Sequence, residues 1–153
     1  MMVEQQRGVR VQYDEAASFL RAAWVAGQPL ERFRPALEAL TQFSREQHVT
    51  RWLIDMHNIP PLGSAEQAWI GQEWFADMAR TSVQQLALVL PPDMHNYLVA
   101  TTPVHDANLQ LSFELHFFTD VASAFHWLLE EVPHHPALWD EWEQNAMRVG
   151  TPQ

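Results

Sequence analysis

The sequence predicts an α/β fold: a mixed, mostly parallel five-stranded sheet with a leading antiparallel hairpin, crossover helices and an appended C-terminal amphipathic helix. Three observations predict it. Segments of period two alternate with segments of period three to four, and Pro- and Gly-bearing stretches separate them. Leu86 to Leu90 is apolar throughout, as a central parallel strand covered on both faces requires. Strands that alternate with helices reach parallel neighbours only by crossover connections, so helices must pack on the sheet.

Taken in order, Val9, Val11 and Tyr13 alternate with Arg10 and Gln12, Asp14-Glu15 interrupts, and Phe19 to Val25 resumes a β-prone run, which reads as a hairpin. Gly27 ends the second strand. Pro29 opens a helix, and Leu30, Phe33, Leu37, Leu40 and Phe43 form one apolar stripe along it. Arg51-Trp52-Leu53-Ile54-Asp55 is a short strand, and Asn58-Ile59-Pro60-Pro61-Leu62-Gly63 is a loop because its prolines remove backbone donors. Ser64 with Gln67 has the form of a capping box and starts a helix carrying Ala68, Trp69, Trp74, Phe75 and Met78. The strand Leu86 to Leu90 stops at Pro91-Pro92. Asp93 caps a further helix through Met94, Tyr97 and Leu98 that Pro103 ends, and residues 101–110 carry no assignable pattern. Ser112 to Thr119 places Phe113, Leu115 and Phe117 on one side and Glu114, His116 and Phe118 on the other. Asp120 then caps a helix using Val121, Ala124, Phe125 and Leu128. Val132-Pro133-His134-His135-Pro136 breaks the chain, and Leu138, Trp139, Trp142 and Ala146 follow at helical spacing. The expected organisation is one α/β domain over 1–131, then a Pro-bounded linker and helix over 132–153, with no internal repeat.

At 153 residues the chain is long enough for one hydrophobic core and short for two. Seven Trp and eight Phe make aromatic rings a large part of its buried area. No run approaches a membrane span, and Met1 to Arg7 is too polar for a signal-peptide core, so a cytoplasmic location is expected. There is no Cys, and all nine basic side chains are Arg. That excludes thiol nucleophiles, thiolate metal sites, Schiff-base chemistry and a P-loop lysine. The net charge of −10 argues against a nucleic-acid partner. Residues 91–153 hold nine acids against Arg148 alone, which repels anionic membranes and favours a neutral or basic partner.

Asp55, His57 and Asn58 follow the third strand, where ligands collect in open α/β sheets, and are the ligand-binding candidates. The same residues also make turns with their own backbone. Eight His raise a metal centre, but there is no His-Glu-x-x-His and the neighbours His134 and His135 should diverge, so no metal and no cofactor is assigned. Glu114 and His116 share a strand face, and no Gly-x-Ser-x-Gly elbow is present, so no catalytic residue is assigned either. Leu138, Trp139 and Trp142 need burial, against the chain's own sheet or in a homodimer contact.

Arg51 to Asn58, Ala68-Trp69-Ile70 with Glu73-Trp74-Phe75, Leu86 to Pro91, and Phe113 to Phe118 with Ala124-Phe125-His126-Trp127-Leu128 together resemble the small bacterial SpoIIAA-like proteins, near the STAS domains. The resemblance covers roughly residues 15–130 and implies a binding or regulatory module rather than an enzyme. In the antagonist branch, a Ser or Thr at the start of the helix after the central strand is phosphorylated by a partner kinase that is also the anti-sigma factor. Ser64 is near that place, within Leu62-Gly63-Ser64-Ala65 instead of Asp-Ser-Ser-Gly or Asp-Ser-Thr-Gly. Two rival readings stand beside it: a carrier of a small apolar or lipid-like molecule lined by Trp69, Trp74 and Met78, by analogy with Sec14-type domains, and an enzyme using Asp55 and His57.

Overall fold

The computed structural model describes residues 2–6, 8–91 and 113–149. One sheet runs in chain order through β1 (Met2–Gln6), β2 (Val9–Asp14), β3 (Phe19–Trp24), β4 (Arg51–Asp55), β5 (Gln85–Val89) and β6 (Glu114–Phe118). β1, β2 and β3 pair antiparallel, and β3 to β6 pair parallel. The five expected strands are all present, and the sheet is mixed and mostly parallel.

The leading hairpin is extended by a strand that the alternation pattern did not announce. Met2–Gln6 is largely polar, so no hydrophobic period marks it; its pairing comes from the backbone of β2, from Gln6 opposite Val9 to Met2 opposite Tyr13. Gly8, at φ 77°, makes the tight reversal between them, a conformation that a side chain would strain.

Helix α1 (Phe33–Gln47) is entered through a 3-10 turn at Leu30–Arg32 and stops at His48, whose φ of 55° directs its N–H back to the last carbonyls. Helix α2 (Ser64–Trp69) passes through a π-helical turn, Ile70–Trp74, into α3 (Phe75–Met78). Helix α4 (Val121–Leu129) starts where expected, with Asp120 accepting from the Ser123 backbone N–H at 2.8 Å. Helix α5 (His135–Val149) follows the Pro-bounded turn. The helix expected after Asp93, with Met94, Tyr97 and Leu98, and the stretch 101–110 lie outside the described residues. Among the described residues no helix is long and apolar enough to cross a membrane.

Strand alternation divides the interior in two. Leu20, Ala22, Trp24, Trp52, Ile54, Leu86 and Leu88 face α1 to α3 and pack on Phe33, Leu37, Trp69, Ile70, Trp74, Phe75 and Met78. Phe19, Leu53, Ala87 and Val89 face the other way, onto Ala124, Phe125, Leu128 and Leu129 of α4. Val132 and Leu138 belong to this second cluster, so residues after 131 share the core of the domain before them.

Candidate functional site

The carboxyl end of β4 organises the first candidate. Met56 donates its backbone N–H to the Val89 carbonyl at 2.8 Å, which carries the chain one step beyond the ladder before it turns. The Asp55 carboxylate then closes the turn: Oδ1 accepts from the His57 backbone N–H at 3.0 Å and lies 2.8 Å from His57 Nδ1. An ionised carboxylate only accepts, so Nδ1 carries the proton and a neutral ring is left with Nε2 as its acceptor. Turn-making and site-forming are thus one arrangement. Asp55 is 21% exposed and His57 37%, and Asn58 is exposed without a hydrogen bond among the described residues. Asp120 adjoins them: its carboxyl is held below the usual carboxylate range by the Ser123 backbone N–H, then by the Ser123 hydroxyl, with His57 adding to the shift.

Ser64 is not the cap that its spacing from Gln67 predicts. Gly63 occupies the cap position with extended backbone, and no side chain caps there; Ser64 is already inside the first turn and exposed. Gln67 reaches back instead to the Leu62 carbonyl, at 3.0 Å from Nε2. A hydroxyl one residue into the helix no longer lies under the free N–H groups, which is why the capping box fails.

The remaining candidates fall as follows. Leu138 and Trp142, at 0% and 5% exposure, are buried within the chain, so neither offers surface to a second copy as placed. Trp139 is half-buried, edge-on to Phe125 with centroids 5.0 Å apart. Glu114 and His116 share a face without a hydrogen bond between them among the described residues, and the His116 ring lies 4.4 Å from Trp127. His134 and His135 diverge: His134 Nε2 is 2.6 Å from Asp14 Oδ2, while His135 Nδ1 donates to the Val132 carbonyl. Among the described residues no group of three His, Cys, Asp or Glu is placed to hold a metal.

Sequence reasoning missed a second polar region, on the same side of the sheet as Asp55. Arg10 and Gln12 of β2 and Arg21 of β3 point beneath α5. Arg21 is only 4% exposed. Burial pushes its guanidinium down to about 10, with Asp55 opposing the shift and Arg10 adding to it. Its carbon lies 4.1 Å from the Trp142 ring centroid and 5.4 Å from that of Trp139. Gln12 Nε2 donates to the Leu138 carbonyl at 2.8 Å and to Glu141 at 3.0 Å, and Arg10 donates to the Trp142 carbonyl. Alternation made Arg10 and Gln12 look like solvent-facing residues. The available signal was Arg21 itself, a charge inside the run Phe19 to Trp24.

The chain matches no family model, no curated protein and no solved structure.

Proposed function

We propose that the chain is a non-enzymatic binding or regulatory module of the cytoplasm, as its resemblance to the SpoIIAA-like and STAS group implies. The observation that carries this reading is the state of the Asp55–His57 pair. Asp55 is held by both the backbone and the ring of His57, and no Ser or Thr hydroxyl among the described residues is hydrogen-bonded to that ring. A rigid turn that presents an imidazole nitrogen and the Asn58 amide suits recognition; nucleophilic catalysis needs a third group that is not brought there.

The test is a titration of the isotope-labelled full chain with metabolite mixtures, followed by amide shifts. The reading expects perturbations centred on residues 55–59 that His57→Ala and Asn58→Ala weaken. Turnover of any component that disappears in His57→Ala would establish an enzyme and overturn it.

Ser64 supports a second, regulatory element of the same reading, because its hydroxyl is exposed and has no capping role to perform. Intact-mass analysis after co-expression with candidate kinases checks it; no phosphate on Ser64 with any kinase removes it. The carrier alternative has less support. Trp69, Trp74 and Met78 are packed into the first core, and Trp74 Nε1 is bonded to Thr41 Oγ1 at 3.0 Å. The groove of about 680 Å³ beside the two indoles is rimmed by Glu38, Glu73 and Asp77, poor company for apolar cargo. Native mass spectrometry of protein from its host would show a retained apolar ligand if that alternative were right.

A further inference from the structure

The sheet face beneath α5 is covered but not satisfied. Gln12 stands directly opposite Arg21 across the β2–β3 ladder, with Arg10 one step along the same face. Both guanidinium groups lie against Trp142, at 3.8 Å and 4.1 Å from its ring centroid. Neither forms an ion pair with a carboxylate among the described residues. Arg10 Nε, Arg21 Nε and Nη1, and Gln12 Oε1 are buried without a hydrogen-bond partner. Groups of this kind are normally paired, and each one left over carries a desolvation cost.

The helix over them has the chemistry of a ligand. Asp140, Glu141 and Glu143 surround the anchors Leu138, Trp139 and Trp142, and the polar contacts run from Gln12 to Glu141 and Leu138 and from Arg10 to Trp142. It is joined to α4 by a short turn, Val132 to His135, and fastened there by His134 on Asp14.

We propose that the Arg10–Gln12–Arg21 face is a docking site for an acidic amphipathic helix of a partner protein, and that α5 occupies it as the chain's own removable stand-in. Charge selects this occupant: Glu143 and Asp55 act on the two guanidinium groups only from a distance, and neither group has a carboxylate in ion-pair contact among the described residues, which calls for acids that can reach them. A second copy of this chain would bring the same helix and leave the same groups unpaired. The surface goes beyond the reading of the Asp55–His57 turn and can fail while that reading stands, since no variant below alters Asp55, His57 or Asn58.

The test uses the full chain and a fluorescein-labelled peptide spanning residues 134–149, followed by anisotropy. A face already occupied binds an added helix only in proportion to its open fraction. Trp142→Ala in the full chain loosens the resident helix and should raise peptide affinity about ten-fold or more. Adding Arg21→Met should abolish the gain, and a peptide carrying Asp140→Asn, Glu141→Gln and Glu143→Gln should bind about five-fold or more weakly. No gain in Trp142→Ala, with the circular dichroism of the fold retained, overturns the proposal. If that variant unfolds, Glu141→Ala, which takes away the carboxylate that Gln12 contacts, takes its place and must show a gain of the same sign; no gain there overturns the proposal too. A dimer of the unaltered full chain formed by exchange of α5 between copies would make the occupant the chain itself and overturn the partner.

Discussion

The two faces of the sheet are closed by opposite means. Against α1 to α3 the strands present Leu20, Ala22, Trp24, Trp52, Ile54, Leu86 and Leu88, and aromatic rings interlock without a buried charge among the described residues: Trp52 meets Trp74 at 5.9 Å, and Phe33 bridges Trp24 and Trp69. Under α4 and α5 the apolar patch of Phe19, Leu53, Ala87 and Val89 gives way, towards β2, to Arg10, Gln12 and Arg21. The first face is a core whose geometry is fixed mainly by packing, with the Trp74–Thr41 hydrogen bond inside it. The second is half core and half recognition surface, held by carbonyls, carboxylates and rings on a helix that the chain supplies late. The difference teaches where change is tolerated: the first face positions the β4 turn, and the second is where the chain can open without losing its fold.

The largest expected effect is on the first face. Leu37→Ala, at a fully buried position, should cost about 3 kcal/mol by urea denaturation, from lost transfer energy plus an unfilled cavity. Leu138→Ala, equally buried but carried by α5 itself, should cost about half that, because the helix can settle or lift away. Equal losses would erase the contrast.

Next in size is Arg21→Met, expected to stabilise. Holding the cation at about 10, below the ordinary arginine range, corresponds to roughly 3 kcal/mol, of which contacts with the rings return about 1 to 2, so a net gain of about 1 to 2 kcal/mol follows. The sign with pH is definite. The folded value lies below the unfolded one, so below about 10 both states are protonated and the penalty is fully present; from about 10 up to the ordinary arginine range the unfolded chain binds more protons and the penalty fades as pH rises. The advantage of Arg21→Met should therefore be flat from neutral pH up to that window and shrink within it, measured by urea midpoints.

Ser44→Ala should gain about 1 kcal/mol, because Ser44 is fully buried on α1 and its Oγ has no partner. Asp120→Ala is the smallest, a fall in Tm of about 2 °C from loss of the α4 cap. The depressed folded value of Asp120 means its contribution is present at neutral pH and is lost as pH falls through that value, so wild type and variant should converge in acid.

Much of the fold was legible in the residues because burial imposes a period. Leu86 to Leu90 is apolar throughout and lies in the sheet interior, and the Asp120 cap is where its side chain suggested. Met2–Gln6 was not legible, since backbone pairing at a sheet edge leaves no apolar period. Ser64 misled for a related reason: Ser and Gln three apart describe a cap only if the helix starts between them, and it starts at Ser64 itself, with Gly63 as the cap. The Asp55–His57 turn was legible as residue types in a place, whereas the bond that joins carboxylate and ring was not. Arg10 and Gln12 were invisible as buried groups, because a polar residue alternating with Val9, Val11 and Tyr13 reads as solvent-facing until a helix from residue 135 onwards covers it.

Native-state hydrogen exchange of the full chain tests the contrast between the faces most directly. Amides of α5 should exchange about a hundred-fold or more faster than those of β4, with little dependence on denaturant, and Arg21→Met should slow them while leaving β4 less affected. Equal protection of α5 and β4, with the same denaturant dependence, would show one cooperative core and contradict the account.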